Sequence, residues 1–486
     1  MSNQLVKHGL IYTFAQFFIM FAGLISFPIL TKNLSPEDYG FIGLFTVTVS
    51  FIASFGKLGI QHSILRFRDN YDQPTFVSNI IFLSLVGPTA ICVALLSMVL
   101  TWHVISPISF ARIDTIVIAI LVAFSEQIRA LLVNFFISKQ QSKLVAQIRV
   151  ISKTINIILT ISAILLISAT SRTFIYAVIV AEVIVFSLSM LIAYKFNVFN
   201  GVSIDKVDIK IYKPIITFGI PLLGLEMVSM LHAFIDRYLI KFYLGGEPLG
   251  FYSAYYNMAN IISELIIGGI VLAIVPAYMQ TWNTQGKVKT EQLISKAANV
   301  FLFTYPILVA SLYVISKELF TLLTTKEYAT FYYLLPIVAA GVMLQSASPI
   351  FSAGLKIKKQ VMTMFWIVTL SAILNFILNI LFIPKYGLSA AAISTMISYS
   401  FIIISFFYFG TKALQLKIDP YLPARSILYA AIFTYLSSFI HIEVNVYQLG
   451  TKILLGVVYF CAVCLLFEKN LSTFIIQALF KRTRNE

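Results

Sequence analysis

A few ionisable residues stand inside long apolar runs, where each costs several kcal/mol unless it meets a partner or a cavity. Glu126 and Arg129 are three apart, so a helix places them on one face. Two uses follow: an internal ion pair that ties helices together, or a guanidinium facing a polar lumen, where it can grip phosphate bidentately. Glu226, His232, Asp236 and Arg237 share a later run. Glu226 and His232 lie deeper in it, whereas Asp236 and Arg237 lie near its end, where side chains can snorkel to an interface. Arg129, Arg237 and His232 are the candidates for binding an anionic substrate. Glu226, Glu182, Glu264 and Asp236 are the candidates for binding a proton or cation, with Glu182 and Glu264 reading as isolated carboxylates. No phosphate-cradling loop and no histidine pair with metal-ligand spacing is present, so no catalytic residue and no metal site is expected. Cys461-x-x-Cys464 sits in an apolar run without a second pair and reads as two small buried hydrophobes.

The elements that hold these residues follow from composition. Of 486 residues, 59% are hydrophobic and 11% charged, and the mean hydropathy is +0.90. Soluble domains are about 25% charged. A soluble enzyme, a nucleic-acid partner and a disordered chain are thereby excluded. The expectation is an all-α polytopic membrane protein. Apolar stretches of spanning length centre on 9–31, 40–60, 77–102, 113–138, 144–169, 174–194, 214–240, 251–276, 297–316, 331–355, 361–383, 388–410, 424–440 and 449–467. At about 20 residues per crossing, that is about fourteen transmembrane helices. The breaks are at most about twenty residues long and hold no soluble domain. The first apolar run exceeds the core of a signal peptide and reads as a spanning helix.

Twenty-five of the 35 basic residues, Lys57, Arg149 and Lys153 among them, fall in alternate breaks. The positive-inside rule then expects both termini in the cytoplasm and an even number of crossings. Leu34-Ser-Pro-Glu-Asp-Tyr-Gly-Phe41 and Leu244-Gly-Gly-Glu-Pro-Leu-Gly-Phe251 share the pattern L-x-x-E-x-x-G-F after the first and seventh helices. Two six-helix lobes in parallel pseudo-repeat are expected, over 1–200 and 201–415, followed by a terminal helix pair and cytoplasmic tail over 416–486. Phe251 with Tyr252, Tyr255 and Tyr256 reads as part of an interfacial aromatic belt, with sugar stacking as the alternative. With no nucleotide motif and no large loop, transport driven by a proton or sodium gradient, without a cofactor, remains.

Four stretches carry a resemblance. They are Phe27-Pro-Ile-Leu-Thr-Lys-Asn-Leu-Ser-Pro-Glu-Asp-Tyr-Gly40; Ile235-Asp-Arg-Tyr-Leu-Ile-Lys241 with Leu249-Gly-Phe-Tyr-Ser253; Gln127-Ile-Arg129; and Leu374-Asn-Phe-Ile-Leu-Asn-Ile-Leu-Phe-Ile-Pro-Lys-Tyr-Gly-Leu-Ser-Ala-Ala-Ala392. On these the chain resembles the MOP exporter superfamily, in its polysaccharide-transport branch of O-antigen flippases. The resemblance implies a MATE-like fold in a bacterial plasma membrane. It also implies a central, often cationic, cavity and ion-driven export of an undecaprenyl-pyrophosphate-linked oligosaccharide by alternating access, with membrane lipids and a polysaccharide polymerase as partners. Arg129 is expected to meet the pyrophosphate. Lipid II flippases of the superfamily carry several arginines in the first lobe, whereas here Arg129 is the one basic residue expected wholly within a span. A drug–cation antiporter of the same fold and a membrane-embedded polysaccharide polymerase or ligase are the alternative readings.

Overall fold

The computed structural model describes residues 2–105, 110–440, 442 and 444–468. The expected basic tail beyond the last helix lies outside them. Among the described residues all regular structure is helical. Two compact units divide the chain, 1–238 and 239–486.

The first unit runs through α1 (Ser2–Asn33), α2 (Pro36–Gly56), α3 (Ile60–Phe67), α4 (Gln73–Ile105), α5 (Phe110–Ser138), α6 (Ser142–Leu166), α7 (Ser171–Lys195) and most of α8 (Ile209–Leu244). Its division from the second unit falls inside α8 rather than at 200/201. The reason is packing: Ile211 and Ile215 of α8 join Ile60, Ile64, Phe76 and Leu131 in one buried cluster. Ser63 also donates to the Ile215 carbonyl at 2.8 Å. A second cluster, of Phe45, Val49 and Ala53 on α2, Val122 and Ala123 on α5 and Ile175 on α7, ties the middle of the unit together. Beyond the end of α5, burial and the neighbouring Arg68 hold the Lys139 ammonium below its usual range, where it donates to Gln73 Oε1 at 2.6 Å.

The second unit contains α9 (Gly246–Ser263), a π-helical turn (Glu264–Gly268), α10 (Gly269–Leu323), α11 (Lys326–Ala329), α12 (Leu334–Phe351), α13 (Ala353–Ile357), α14 (Val361–Thr411), α15 (Leu422–Ser437) and α16 (Asn445–Leu466). The terminal pair α15 and α16 packs on α10 through Phe303, Ile307, Leu422, Phe460 and Cys464. Lys452 of α16 adds an ion pair to Glu318 of α10 at 2.7 Å. Cys464 is buried as expected, whereas Cys461 is exposed.

Among the described residues eleven helical segments are long and apolar enough to cross a bilayer, against about fourteen expected. Two long helices run on through a non-helical glycine, Gly286 in α10 and Gly387 in α14. At 16 residues, α15 is shorter than the about 20 that a full crossing takes. The chain is a multi-pass membrane protein.

Both copies of L-x-x-E-x-x-G-F open a helix. In the first, Ser35 caps α2 by accepting from the Asp38 N–H, and Pro36 starts the helix with its preset φ. In the second, Gly245 caps α9 at φ 97°. The Leu374–Ala392 stretch also has a structural explanation. Asn375 donates to Ser398 Oγ at 3.1 Å, Asn379 donates to Asn375 Oδ1 at 2.9 Å, and Ser371 donates to the Ser398 carbonyl at 2.7 Å. The two bonds to Ser398 join the halves of α14 across Gly387, and the Asn379–Asn375 bond extends the network along the first half.

The aromatic run departs from expectation. Phe251, Tyr252, Tyr255 and Tyr256 are buried rather than at an interface or on a lumen. Tyr255 stacks on Phe320 and donates to the Tyr328 carbonyl, and Phe251 packs edge-on against Tyr328. Their spacing of one, three and four residues is that of a buried helix face, which an aromatic belt can mimic.

A close backbone approach seats α13 on α14. A Cβ at Gly354 would lie 2.5 Å from the Gly410 carbonyl oxygen, which cannot swing aside as a side chain can. Gly354→Ala is expected to cost about 1–3 kcal/mol as an overpacking change, read as a lowered unfolding midpoint of the purified protein. An unchanged midpoint would disprove this contact.

Candidate functional site

The first unit encloses two adjoining cavities, of about 420 and 350 Å³. Ser50, Glu126, Arg129 and Arg149 line both, so the two meet along these side chains. One wall is apolar, from Phe45, Val49 and Val122, and belongs to the cluster that packs α2 on α5. The charged side chains of the larger cavity come from α5, α6 and α7. Continuous helices supply every charged group but Lys57, which follows the last turn of α2, so the charges stand on rigid supports.

Arg129 is at the centre of the lumen's ion pairing. Its Nη2 lies 3.1 Å from Glu182 Oε1 and 3.2 Å from Oε2, and its Nε donates to Oε1 at 3.3 Å. Glu126 is its second partner, at 3.7 Å. Glu182, which reads as isolated from the sequence, is thus the nearer partner of Arg129, and the expected pair with Glu126 is the looser one. Glu182 sits on α7, 53 positions away, beyond the reach of any spacing rule.

Two further cations enter the lumen from α6. Arg149 lines both cavities, and Lys153, one turn on, lines the larger one beside Ser152 and Asn156. The basic-residue pattern assigns them to a break. The apolar stretch 144–169 nevertheless spans both, and the structure agrees with that stretch: both lie in a candidate span, Ser142–Leu166. Lys153 therefore lies about 16 Å along the helix from its start. Arg129 does not stand alone, and the sequence contrast with lipid II flippases loses its basis. The missed signal is periodic: 149, 153 and 156 share one helical face between apolar residues.

Glu226 is placed elsewhere in the unit, at the break between α2 and α3. Lys57 Nζ lies 3.4 Å from its Oε1, Gln61 Nε2 donates to its Oε2 at 2.9 Å, and His62 Nε2 is 3.4 Å away. Lys57 also lines the smaller cavity.

The remaining candidates do not line these cavities. His232, Asp236 and Arg237 of α8 are buried, so the last two do not snorkel to an interface. Asp236 caps the Arg237 N–H at 2.7 Å, and the Arg237 guanidinium lies 5.0 Å from the Phe234 ring centre. Glu264 opens the π-helical turn of the second unit, exposed, with its carboxylate over Gly268. No group of three or more candidate metal ligands occurs among the described residues.

Residues 5–282 match the family described as polysaccharide biosynthesis protein. The chain is 25% identical over 387 residues to the capsular polysaccharide biosynthesis protein CapF of Staphylococcus aureus, covering 77% of this chain and 91% of that one. Among solved structures it is similar to the lipid II flippase MurJ in an inward closed conformation. That likeness has a TM-score of 0.74 at 17% identity, over 97% of this chain and 99% of the other. An inward-facing MATE family multidrug resistance transporter of the MOP superfamily gives a TM-score of 0.64 at 14% identity, over 81% and 94%. A MOP superfamily transporter from Pyrococcus furiosus gives 0.60 at 16%, over 84% and 94%. These structures share the fold, and function has to be argued from the site.

Proposed function

Because this chain belongs to the polysaccharide biosynthesis protein family and has a MOP-like fold, we propose that it is a lipid-linked oligosaccharide flippase. Its cargo would be an undecaprenyl-pyrophosphate-linked repeat unit of O-antigen or a related polysaccharide. It would carry that cargo from the cytoplasmic to the outer leaflet of a bacterial plasma membrane, with both termini cytoplasmic. The observation that carries this reading is the charge of the lumen: Arg149 and Lys153 share its lining with two carboxylates that Arg129 already engages. Surplus positive charge in a cavity of low dielectric favours an anion and disfavours a cationic drug. On this reading Arg129, held by Glu182 and Glu126, is a structural charge and substrate contact falls to α6.

Alternating access driven by a proton or sodium gradient is the proposed energy source. Glu226 is the first candidate for coupling, because a change in its charge would release Lys57 at the α2–α3 break. Glu182 is held by Arg129, and Glu264 and Asp236 follow.

The test is depletion in cells together with reconstitution. Depletion should leave lipid-linked repeat units on the cytoplasmic leaflet. In proteoliposomes without nucleotide, an imposed proton or sodium gradient should move them across. Repeat units that still reach the outer leaflet in depleted cells lacking any second flippase would refute the function. Movement that required ATP would refute the coupling.

A further inference from the structure

We propose that Arg68 and Lys139 seat the phosphate of an anionic phospholipid where the break between α3 and α4 meets the end of α5. Neither side chain lines the two cavities, and the seat does not depend on what the protein transports. Neutral groups hold the two cations side by side. Arg68 Nη1 donates to the Ser138 carbonyl at 3.2 Å. The next residue, Lys139, donates to Gln73 Oε1 at 2.6 Å, with its ammonium 4.8 Å from the Phe135 ring centre. The two charges repel each other, which together with burial keeps the Lys139 ammonium below its usual range. An anion bridging both would relieve that repulsion.

No side chain supplies that anion to Lys139: among the described residues no carboxylate lies within 4.0 Å of its Nζ. The acidic side chains described at this end of the unit are engaged elsewhere. Asp72 accepts from the Thr75 N–H at 3.1 Å, Asp205 from Ser203 Oγ at 3.0 Å and Asp208 from the Lys210 N–H at 2.9 Å. The cation that acts on Asp72 is Lys206. Lys143, four positions on from Lys139, is exposed and adds to the positive charge. Depth selects the source of the anion. Gln73 opens one candidate span, Gln73–Ala94, and Ser138 closes another, Ile113–Ser138. The groups bonded to these two residues therefore stand just beyond the hydrocarbon, at the level of lipid phosphates, in the cytoplasmic leaflet under the proposed topology. A guanidinium and an ammonium together suit the two free oxygens of one phosphodiester.

Titration of the full chain in a neutral detergent with dioctanoyl phosphatidylglycerol, read by native mass spectrometry, tests this. Lys139→Gln should weaken binding by about tenfold, the loss of one charge-assisted contact. Lys139→Arg should retain it. Lys289→Gln, which removes an exposed lysine of the second unit, should change the Kd by less than about twofold. Without added lipid, the unfolding midpoint of Lys139→Gln should not fall, because the variant loses a charge that Arg68 repels. Phosphatidylcholine, whose ammonium offsets its phosphate, and inorganic phosphate, which has no acyl chains to hold it at this depth, should both bind more weakly than phosphatidylglycerol. Wild-type affinity in the Lys139→Gln protein would overturn the proposal. So would an equal loss in Lys289→Gln, which would make the attraction diffuse. A Kd for phosphatidylcholine equal to that for phosphatidylglycerol would remove the charge from the recognition, and an equal Kd for inorganic phosphate would assign the seat to a soluble anion; either overturns it.

Discussion

Arg129→Ala is expected to remove most of the protein from the membrane fraction. The substitution leaves Glu182, whose side chain is 7% exposed, without its bidentate partner at 3.1 Å. Breaking a buried pair on one side costs about 3–5 kcal/mol, because the remaining charge stays desolvated and uncompensated. That is a large share of the total stability of an ordinary domain. The carboxylate responsible is identified by rescue. Arg129→Ala with Glu182→Ala should restore the protein level, since both buried charges are gone. Arg129→Ala with Glu126→Ala should restore little, since Glu126 is 37% exposed to the lumen and 3.7 Å from the guanidinium. Membrane-fraction immunoblots and unfolding midpoints in detergent read both. A normal level of the single variant, or equal rescue by either carboxylate, would show that the ion pair to α7 does not hold the helices.

Gly59→Ala is the second severe change expected. Gly59 takes φ 73°, which an L side chain adopts at a cost of about 1–2 kcal/mol. Its added Cβ would lie 2.2 Å from the Gly219 carbonyl oxygen on α8, so the backbones must also part. Moving α3 away from α8 would break the Gln61–Glu226 and Ser63–Ile215 hydrogen bonds together. With overpacking at about 1–3 kcal/mol, the sum is roughly 2–5 kcal/mol. Gly219→Ala meets Gly59 from the other side at 2.8 Å with no φ penalty, and should cost less. The order of the two unfolding midpoints is the measurement. Equal midpoints would mean that the left-handed conformation at Gly59 adds nothing.

The fold class follows from composition because a chain this apolar has no alternative to helices that satisfy their own backbone in lipid. The positions of most helices follow from the same runs. Which charges within a run face a lumen does not follow from the runs. Arg149 and Lys153 were assigned to a break because lysines and arginines near a span's end are ordinarily cytoplasmic anchors. The apolar stretch 144–169 already contained both, and α6, Ser142–Leu166, carries them into the lumen. Glu126 and Arg129 were legible as neighbours because a helix fixes them on one face. The closer partner, Glu182, was not, since packing of α5 against α7 brings it there. The fates of Asp236 and Arg237 were hidden for a related reason: whether a residue near a helix end meets lipid headgroups or protein depends on the neighbouring helices.

The hydrogen bonds inside α14 bear on how that helix enters the bilayer. Asn375, Asn379 and Ser371 on one half, and Ser398 on the other, are buried and bonded mainly to one another. Either half entering lipid by itself would carry amide and hydroxyl groups into hydrocarbon without partners from the other half, which costs up to several kcal/mol per group. The two halves gain by crossing as a preformed hairpin, turned at Gly387, whose φ of 61° reverses the chain. Synthesis halted after the first half would leave Asn375 without Ser398. Integration of this segment therefore has to wait for about 25 further residues to leave the ribosome, the length of one more crossing.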